Sequence, residues 1–148
     1  MSKKECHGFM NIIRFLHRKT DVCLLHDYKT VQQALRIMRS HGCAELPVVN
    51  QEGFYVGTVK EGDFLWYILD YGGFDEVKDH KISSVVQKSM VPALKITDTD
   101  EDLQKAALRS AFVPIVDDRD MFVGTISRED IIAYFVDREK EIQDAQVE

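Results

Sequence analysis

The stretch Pro47-Val-Val-Asn-Gln-Glu-Gly-Phe-Tyr-Val-Gly-Thr-Val-Lys-Glu-Gly-Asp63 decides the fold, because it occurs twice. Its second copy is Pro114-Ile-Val-Asp-Asp-Arg-Asp-Met-Phe-Val-Gly-Thr-Ile-Ser-Arg-Glu-Asp130, aligned without a gap. Pro, Val, Val, Gly, Thr and Asp coincide, and Val/Ile and Tyr/Phe exchanges fill the apolar positions between them. Self-similarity of this kind marks a repeated structural unit, and two copies mean a paired module and not a solenoid. Within each copy a short apolar strand (46–49; 113–116) meets a polar turn (50–53; 117–120) and a second strand (54–59; 121–126), which predicts a hairpin. A helix follows each hairpin, over 61–70 and 128–137.

The pattern extends upstream. Thr30-Val-Gln-Gln33 is a capping-box start, and Val31, Ala34, Leu35 and Met38 fall at helical spacing. The matching helix of the second copy opens in Asp98-Thr-Asp-Glu-Asp102, acidic as a helix N-terminus favours. Strands over 22–25 and 93–96 precede these helices. The expected fold is therefore mixed α/β (α+β), built from two β-α-β-β-α repeats packed as a pseudo-twofold pair. Residues 1–19 form an N-terminal segment, with Phe9, Ile12, Ile13 and Leu16 spaced for an amphipathic helix near 8–17. Repeat 1 spans 20–75, a linker with a short helix around 82–86 spans 76–89, repeat 2 spans 90–137, and 138–148 is a charged tail that extends or frays the last helix.

Composition narrows the function classes. The chain has 148 residues, 45% hydrophobic and 30% charged, with a net charge of −6. A globule of this length buries roughly 70% of its unfolded surface, so the bulk of the chain is expected to fold. The acidic balance argues against nucleic acid or an anionic membrane as the main partner. No apolar run approaches the ~20 residues of a membrane span, and no signal peptide opens the chain, so a cytoplasmic location is expected. Cys6, Cys23 and Cys43 lack CxxC spacing, which suggests neither a disulfide framework nor a zinc knuckle. Asp98-x-Asp100-x-Asp102 lacks the Gly and terminal Glu of a calcium loop and reads as a helix start. His7, His17, His26, His41 and His80 pair in sequence with no nucleophile or metal ligand, and no catalytic motif occurs. No catalytic and no metal-binding residue is expected.

A duplicated β-α-β-β-α unit with Pro-Val-Val, then Gly-x-x-x-x-x-Asp after the second strand, resembles the tandem CBS domain pair, named after cystathionine β-synthase. The resemblance covers about residues 20–137, and Glu61-Gly-Asp-Phe-Leu-Trp-Tyr67 looks most like stand-alone bacterial CBS-domain proteins. The family implies a regulatory adenosine-nucleotide sensor and no prosthetic group. Its ligands include AMP, ADP, ATP, S-adenosylmethionine and cyclic di-AMP. The family's ribose/phosphate motif is complete in Gly124-Thr-Ile-Ser127-Arg-Glu-Asp130. By resemblance Ser127 and Asp130 are expected to contact ribose and phosphate, with Arg128 adding charge. A carboxylate accepts both ribose hydroxyls, and a hydroxyl at a helix start sits beside free N–H groups. The same Ser127-x-x-Asp130 is also a capping-box-like helix start, and both readings stand open.

Each repeat departs from the pattern once. Lys60 replaces the Thr/Ser before Asp63; it is either a point charge on a phosphate or a solvated side chain at a site without ligand. The second repeat is shorter between Leu103 and Pro114 than the first is between Val31 and Pro47. Phe112, Val113 and Pro114 are the expected apolar wall for adenine there. In the first repeat the wall is Cys43, Ala44 and Leu46, with Thr20, Asp21 and Val22 opposite. The helices 64–69 and 131–136 are apolar around most of their circumference, which asks for a second surface. In the family these helices form a dimer interface, so a homodimer with Trp66, Tyr67 and Tyr134 near the contact is expected. Output then passes to a separate effector protein. The contrasting expectation is a dimeric interaction scaffold whose nucleotide clefts are vestigial.

Overall fold

The structure is a computed structural model that describes residues 13–86 and 92–147. In chain order its elements are a 3-10 turn at Ile13–Phe15, β1 (His17–Arg18), β2 (Leu25–His26), α1 (Val31–His41), β3 (Glu45–Val49), β4 (Tyr55–Lys60), α2 (Glu61–Asp70), α3 (Phe74–Val77), α4 (Ser83–Val86), β5 (Leu94–Lys95), α5 (Asp100–Ala107), β6 (Phe112–Val116), β7 (Phe122–Ser127) and α6 (Arg128–Val147). Both hairpins and their following helices lie where the duplication places them.

The two repeats are built alike, down to their irregularities. In the first, β2 runs parallel to β3, which pairs antiparallel with β4; the register shifts at Val48/Val49. In the second, β5 runs parallel to β6, which pairs antiparallel with β7, and the shift recurs at Ile115/Val116. Asn50 Oδ1 accepts the Glu52 and Phe54 N–H groups in the first turn. Asp117 Oδ1 accepts those of Arg119 and Met121 in the second. Each turn ends in a residue with positive φ, Gly53 at 95° and Asp120 at 67°. Glycine adopts that region freely and Asp tolerates it.

Helix ends follow the capping rules. In α1, Thr30 and Gln33 exchange reciprocal backbone–side-chain bonds of 3.0 and 3.2 Å, and Gly42 closes the C-terminus in the left-handed region at φ 65°. Thr99 and Asp102 make the same box at the start of α5, so the Asp98–Asp102 cluster serves a helix start. Two cores result. Leu25, Val31, Leu46, Val59 and Phe64 anchor the first, and Leu103, Ile115, Ile126 and Ile131 the second.

Three features differ from the sequence expectation. The helix expected over 8–17 begins outside the described residues, with Phe9 and Ile12; from Ile13 onward the chain makes a 3-10 turn and then β1. That strand joins the opposite sheet, whose order is β1-β7-β6-β5. The stretch 76–86 is no loose linker, since Val77, Ile82, Val85 and Val86 are buried in the first core. Backbone bonds from Val31 to His80 and from Ile82 to Lys29 tie it there. Tyr134, placed at a dimer contact by its helix, is only 7% exposed; Phe15 and Phe135 pack edge-on against it. α6 turns Ile132 and Val136 outward instead.

The repeats meet turn to turn. Phe54 bridges Met121, and the Tyr55 N–H and Phe122 N–H donate to the Asp120 and Gly53 carbonyls. Tyr55 and Phe122 stack with centroids 6.2 Å apart. Ser110 Oγ, itself buried, donates to Glu45 Oε2 at 3.0 Å across the same junction.

Candidate nucleotide site

The equivalent helix starts after β4 and β7 put their carboxylates to different use. Both backbones enter alike: the Glu61 N–H donates to the Ala44 carbonyl at 3.0 Å and the Arg128 N–H to that of Ala111 at 2.8 Å. In the first repeat the Lys60 N–H donates to Asp63 Oδ2 at 2.8 Å, so Asp63 caps its own helix. The Lys60 side chain is exposed and takes no part in that cap. In the second repeat Ser127 Oγ accepts the Asp130 N–H at 3.2 Å, which is half of a capping box. The other half is absent: among the described contacts the Asp130 carboxylate meets His17 Nε2, at 3.4 Å, and not the Ser127 N–H. Asp130 therefore projects an oxygen away from its helix, at a side-chain exposure of 34%.

Arg128 lies elsewhere than expected. Its Nε donates to the carbonyls of Ala107 and Ser110, at 2.8 and 2.9 Å. These are carbonyls that α5 and the shortened turn leave without helical partners. The guanidinium thus holds the compact connection in place of the glycine cap that closes α1. It also borders a groove of about 390 Å³ between α5 and α6, lined by Ala107, Leu108, Ile131, Ile132 and Phe135. A second hollow, of about 540 Å³, opens at the repeat junction beside Tyr55, Lys95, Asp98 and Asp120. Ser127 and Asp130 line neither.

The expected base walls also rearrange. Val113 is fully buried at 0% exposure, and Pro114 is buried with it. Phe112, paired in register with Ser127, is half-buried and stands at the edge. Thr20, Asp21 and Val22 follow β1 in the chain. They leave directly from β1, which pairs with β7, and the Lys19 N–H donates to the Val123 carbonyl at 2.9 Å. From there the chain crosses to the first repeat, where Cys23 and Cys43 both pack on the first core. Burial first, then the nearby Cys43, raises the Cys23 thiol above its ordinary pKa, which makes it a poor nucleophile. Ala44 is exposed beside them. Ser127 and Asp130 stand at the end of β7 where α6 begins, whereas Lys19 meets Val123 and the chain runs on from there toward Thr20–Val22, away from Ser127. Lys60 and Asp63 stand at the equivalent end of the first sheet.

His17 was passed over in the sequence because it pairs with nothing nearby in the chain. The signal that marks it is the basic run His17-Arg18-Lys19 just ahead of Thr20.

Comparison with known proteins sets this geometry in context. A family model for the CBS domain matches residues 18–70 and 82–137. An inosine-5'-monophosphate dehydrogenase of Methanocaldococcus jannaschii is 30% identical over 113 residues. That match covers 76% of this chain and 21% of the relative, so the chain spans about a fifth of that enzyme's length. Among solved structures, CbpB in complex with c-di-AMP superposes with a TM-score of 0.77 at 20% identity, covering 97% of this chain and 99% of that one. CBSX2 in complex with AMP superposes with a TM-score of 0.66 at 17% identity, covering 86% and 97%. At such identities the superpositions speak for the fold.

Proposed function

The chain belongs to the CBS domain family as a tandem pair of repeats, and from that premise we propose that it is a non-catalytic regulatory module. It binds an adenosine-containing nucleotide (AMP, ADP, ATP or cyclic di-AMP) between its repeats and signals to a partner protein by a change of conformation. The observation that carries this reading is the outward carboxylate of Asp130. A capping box would turn it back on the Ser127 N–H, as Asp63 turns on Lys60. Left projecting, it accepts a ribose diol, while Ser127 and the helix N-terminus face the phosphate. The adenine then lies at the edge of the second sheet, against Phe112, which pairs in register with Ser127. Solved relatives named as complexes with c-di-AMP and with AMP support the ligand class. Among the described residues no helix is long and apolar enough to cross a membrane, and a cytoplasmic, bacterial setting belongs to the same proposal.

A second reading keeps the module as a dimeric scaffold with vestigial clefts. Asp63 favours it for the first repeat, since a carboxylate engaged in capping is withheld from a ligand. A thermal-shift panel of AMP, ADP, ATP, cyclic di-AMP and S-adenosylmethionine separates the two. The sensor reading expects at least one nucleotide to raise the melting temperature; saturation at a hundred times Kd contributes about 2.7 kcal/mol. Asp130→Ala abolishes that shift. Asp63→Ala lowers the starting melting temperature through its lost cap, by about 1 kcal/mol, and keeps the shift. A flat panel rejects the sensor and leaves the scaffold.

A further inference from the structure

The Asp130 carboxylate has a neighbour that the family motif does not contain. His17 Nε2 lies 3.4 Å from Asp130 Oδ2, although 113 residues separate the two in the chain. The approach is built into the fold. β1 sits in register against β7, His17 opposite Thr125 and Arg18 opposite Gly124. Directly paired residues share one face of a sheet, so His17 lies on the face of Thr125, beside the start of α6. Its backbone comes so close to β7 that any Cβ at residue 124 would strike the His17 carbonyl oxygen. The side chain, in contrast, is 54% exposed and has room to turn.

An imidazole N–H donates equally well to a carboxylate or to a phosphate oxygen. A ribose diol that takes both Asp130 oxygens displaces the imidazole, which then needs another acceptor at the same spot. A nucleotide brings one in its phosphate, and a nucleoside does not. The expected alternative, Arg128, has its Nε fixed on the Ala107 and Ser110 carbonyls. Among the described contacts His17 Nε2 is the group that meets the Asp130 carboxylate, and a chain of net charge −6 must meet a polyanion with local groups.

We propose that His17 is the phosphate-recognising residue of this cleft, passing from Asp130 to the nucleotide's phosphate as ribose takes the carboxylate. The proposal rests on the nucleotide reading above and adds to it the source of phosphate selectivity. Calorimetric titration of the full chain with AMP, ATP, cyclic di-AMP and adenosine tests it, using the wild type, His17→Ala and His17→Lys. The expected result is that His17→Ala weakens the phosphorylated ligand roughly tenfold to a hundredfold, the range of a hydrogen bond to a charged group. Adenosine affinity stays within about twofold, and His17→Lys, which supplies N–H donors at the same place, retains the preference for phosphate. Unchanged nucleotide affinity in His17→Ala overturns the proposal and leaves the nucleotide reading intact. So does an equal loss, or an equal gain, for nucleotide and adenosine alike. A wild-type chain that binds none of the four overturns both together. Should His17→Ala fail to melt cooperatively, His17→Lys alone decides, by keeping or losing the ratio of nucleotide to adenosine affinity.

Discussion

Asn50 and Asp117 occupy equivalent turns and accept the same two backbone N–H groups, but only one of them ionises. The Met121 and Arg119 N–H groups hold the Asp117 carboxyl below its ordinary pKa. A carboxyl depressed on folding contributes stability above its unfolded pKa of about 3.9 and loses it as pH falls through the lower folded value. Asp117→Asn, which copies Asn50, is therefore expected to keep the neutral-pH melting temperature and flatten its decline below pH 4; a melting series from pH 7 to pH 2 reads this out. Residue by residue, the sequence was legible where a letter has one use. Thr30 with Gln33 and Thr99 with Asp102 form the boxes they spell. Asp63 and Asp130 share one letter at one motif position and diverge, because His17 stands beside the second. Val113 shows how packing adds to a letter: strand alternation assigns it a face, and the second core covers that face.

Among the elements, hairpins and long helices were legible because each carries its own period, written out in both copies. β1 and α3 were not: they are two and four residues long and, unlike the equally short β2 and β5, have no counterpart in the other copy. The expected helix over 8–17 illustrates the hazard. The spacing of Phe9, Ile12, Ile13 and Leu16 suits a helix, yet from Ile13 the chain gives a 3-10 turn and a strand, which pairing with β7 rewards more. Gly124 is the residue that admits that strand. Gly124→Ala puts a methyl group against the His17 carbonyl oxygen and should cost about 1–3 kcal/mol. That amounts to a drop of several degrees in melting temperature, with loss of hydrogen-exchange protection along β7. Equal protection in variant and wild type would show that β1 contributes little to the sheet.

Across the whole molecule, charge and apolar surface are unevenly placed. α2 leaves Leu65, Trp66 and Leu69 outward at 63%, 64% and 70% exposure, and α6 adds Ile132 and Val136. Tyr67 belongs to the interior side, where its hydroxyl meets His80 Nδ1 at 2.7 Å. We propose that a second copy of the chain covers this apolar surface in a homodimer. Light scattering at micromolar concentration should give twice the chain mass, and Leu65→Asp with Leu69→Asp should halve it. A monomer in the wild type would end the dimer reading. The apolar helices announced a second surface in the sequence; which of their residues reach it depended on how α6 rolls over β7, and Tyr134 went inward. The return of β1 to the second sheet carries a consequence for synthesis. On the ribosome His17 emerges early and waits, its edge unpaired, until β7 has been made. The contact between His17 and Asp130 thus cannot form co-translationally with the first repeat. Fragments ending before Phe122 lack β7 and leave β1 with an open strand edge, a natural target for quality control.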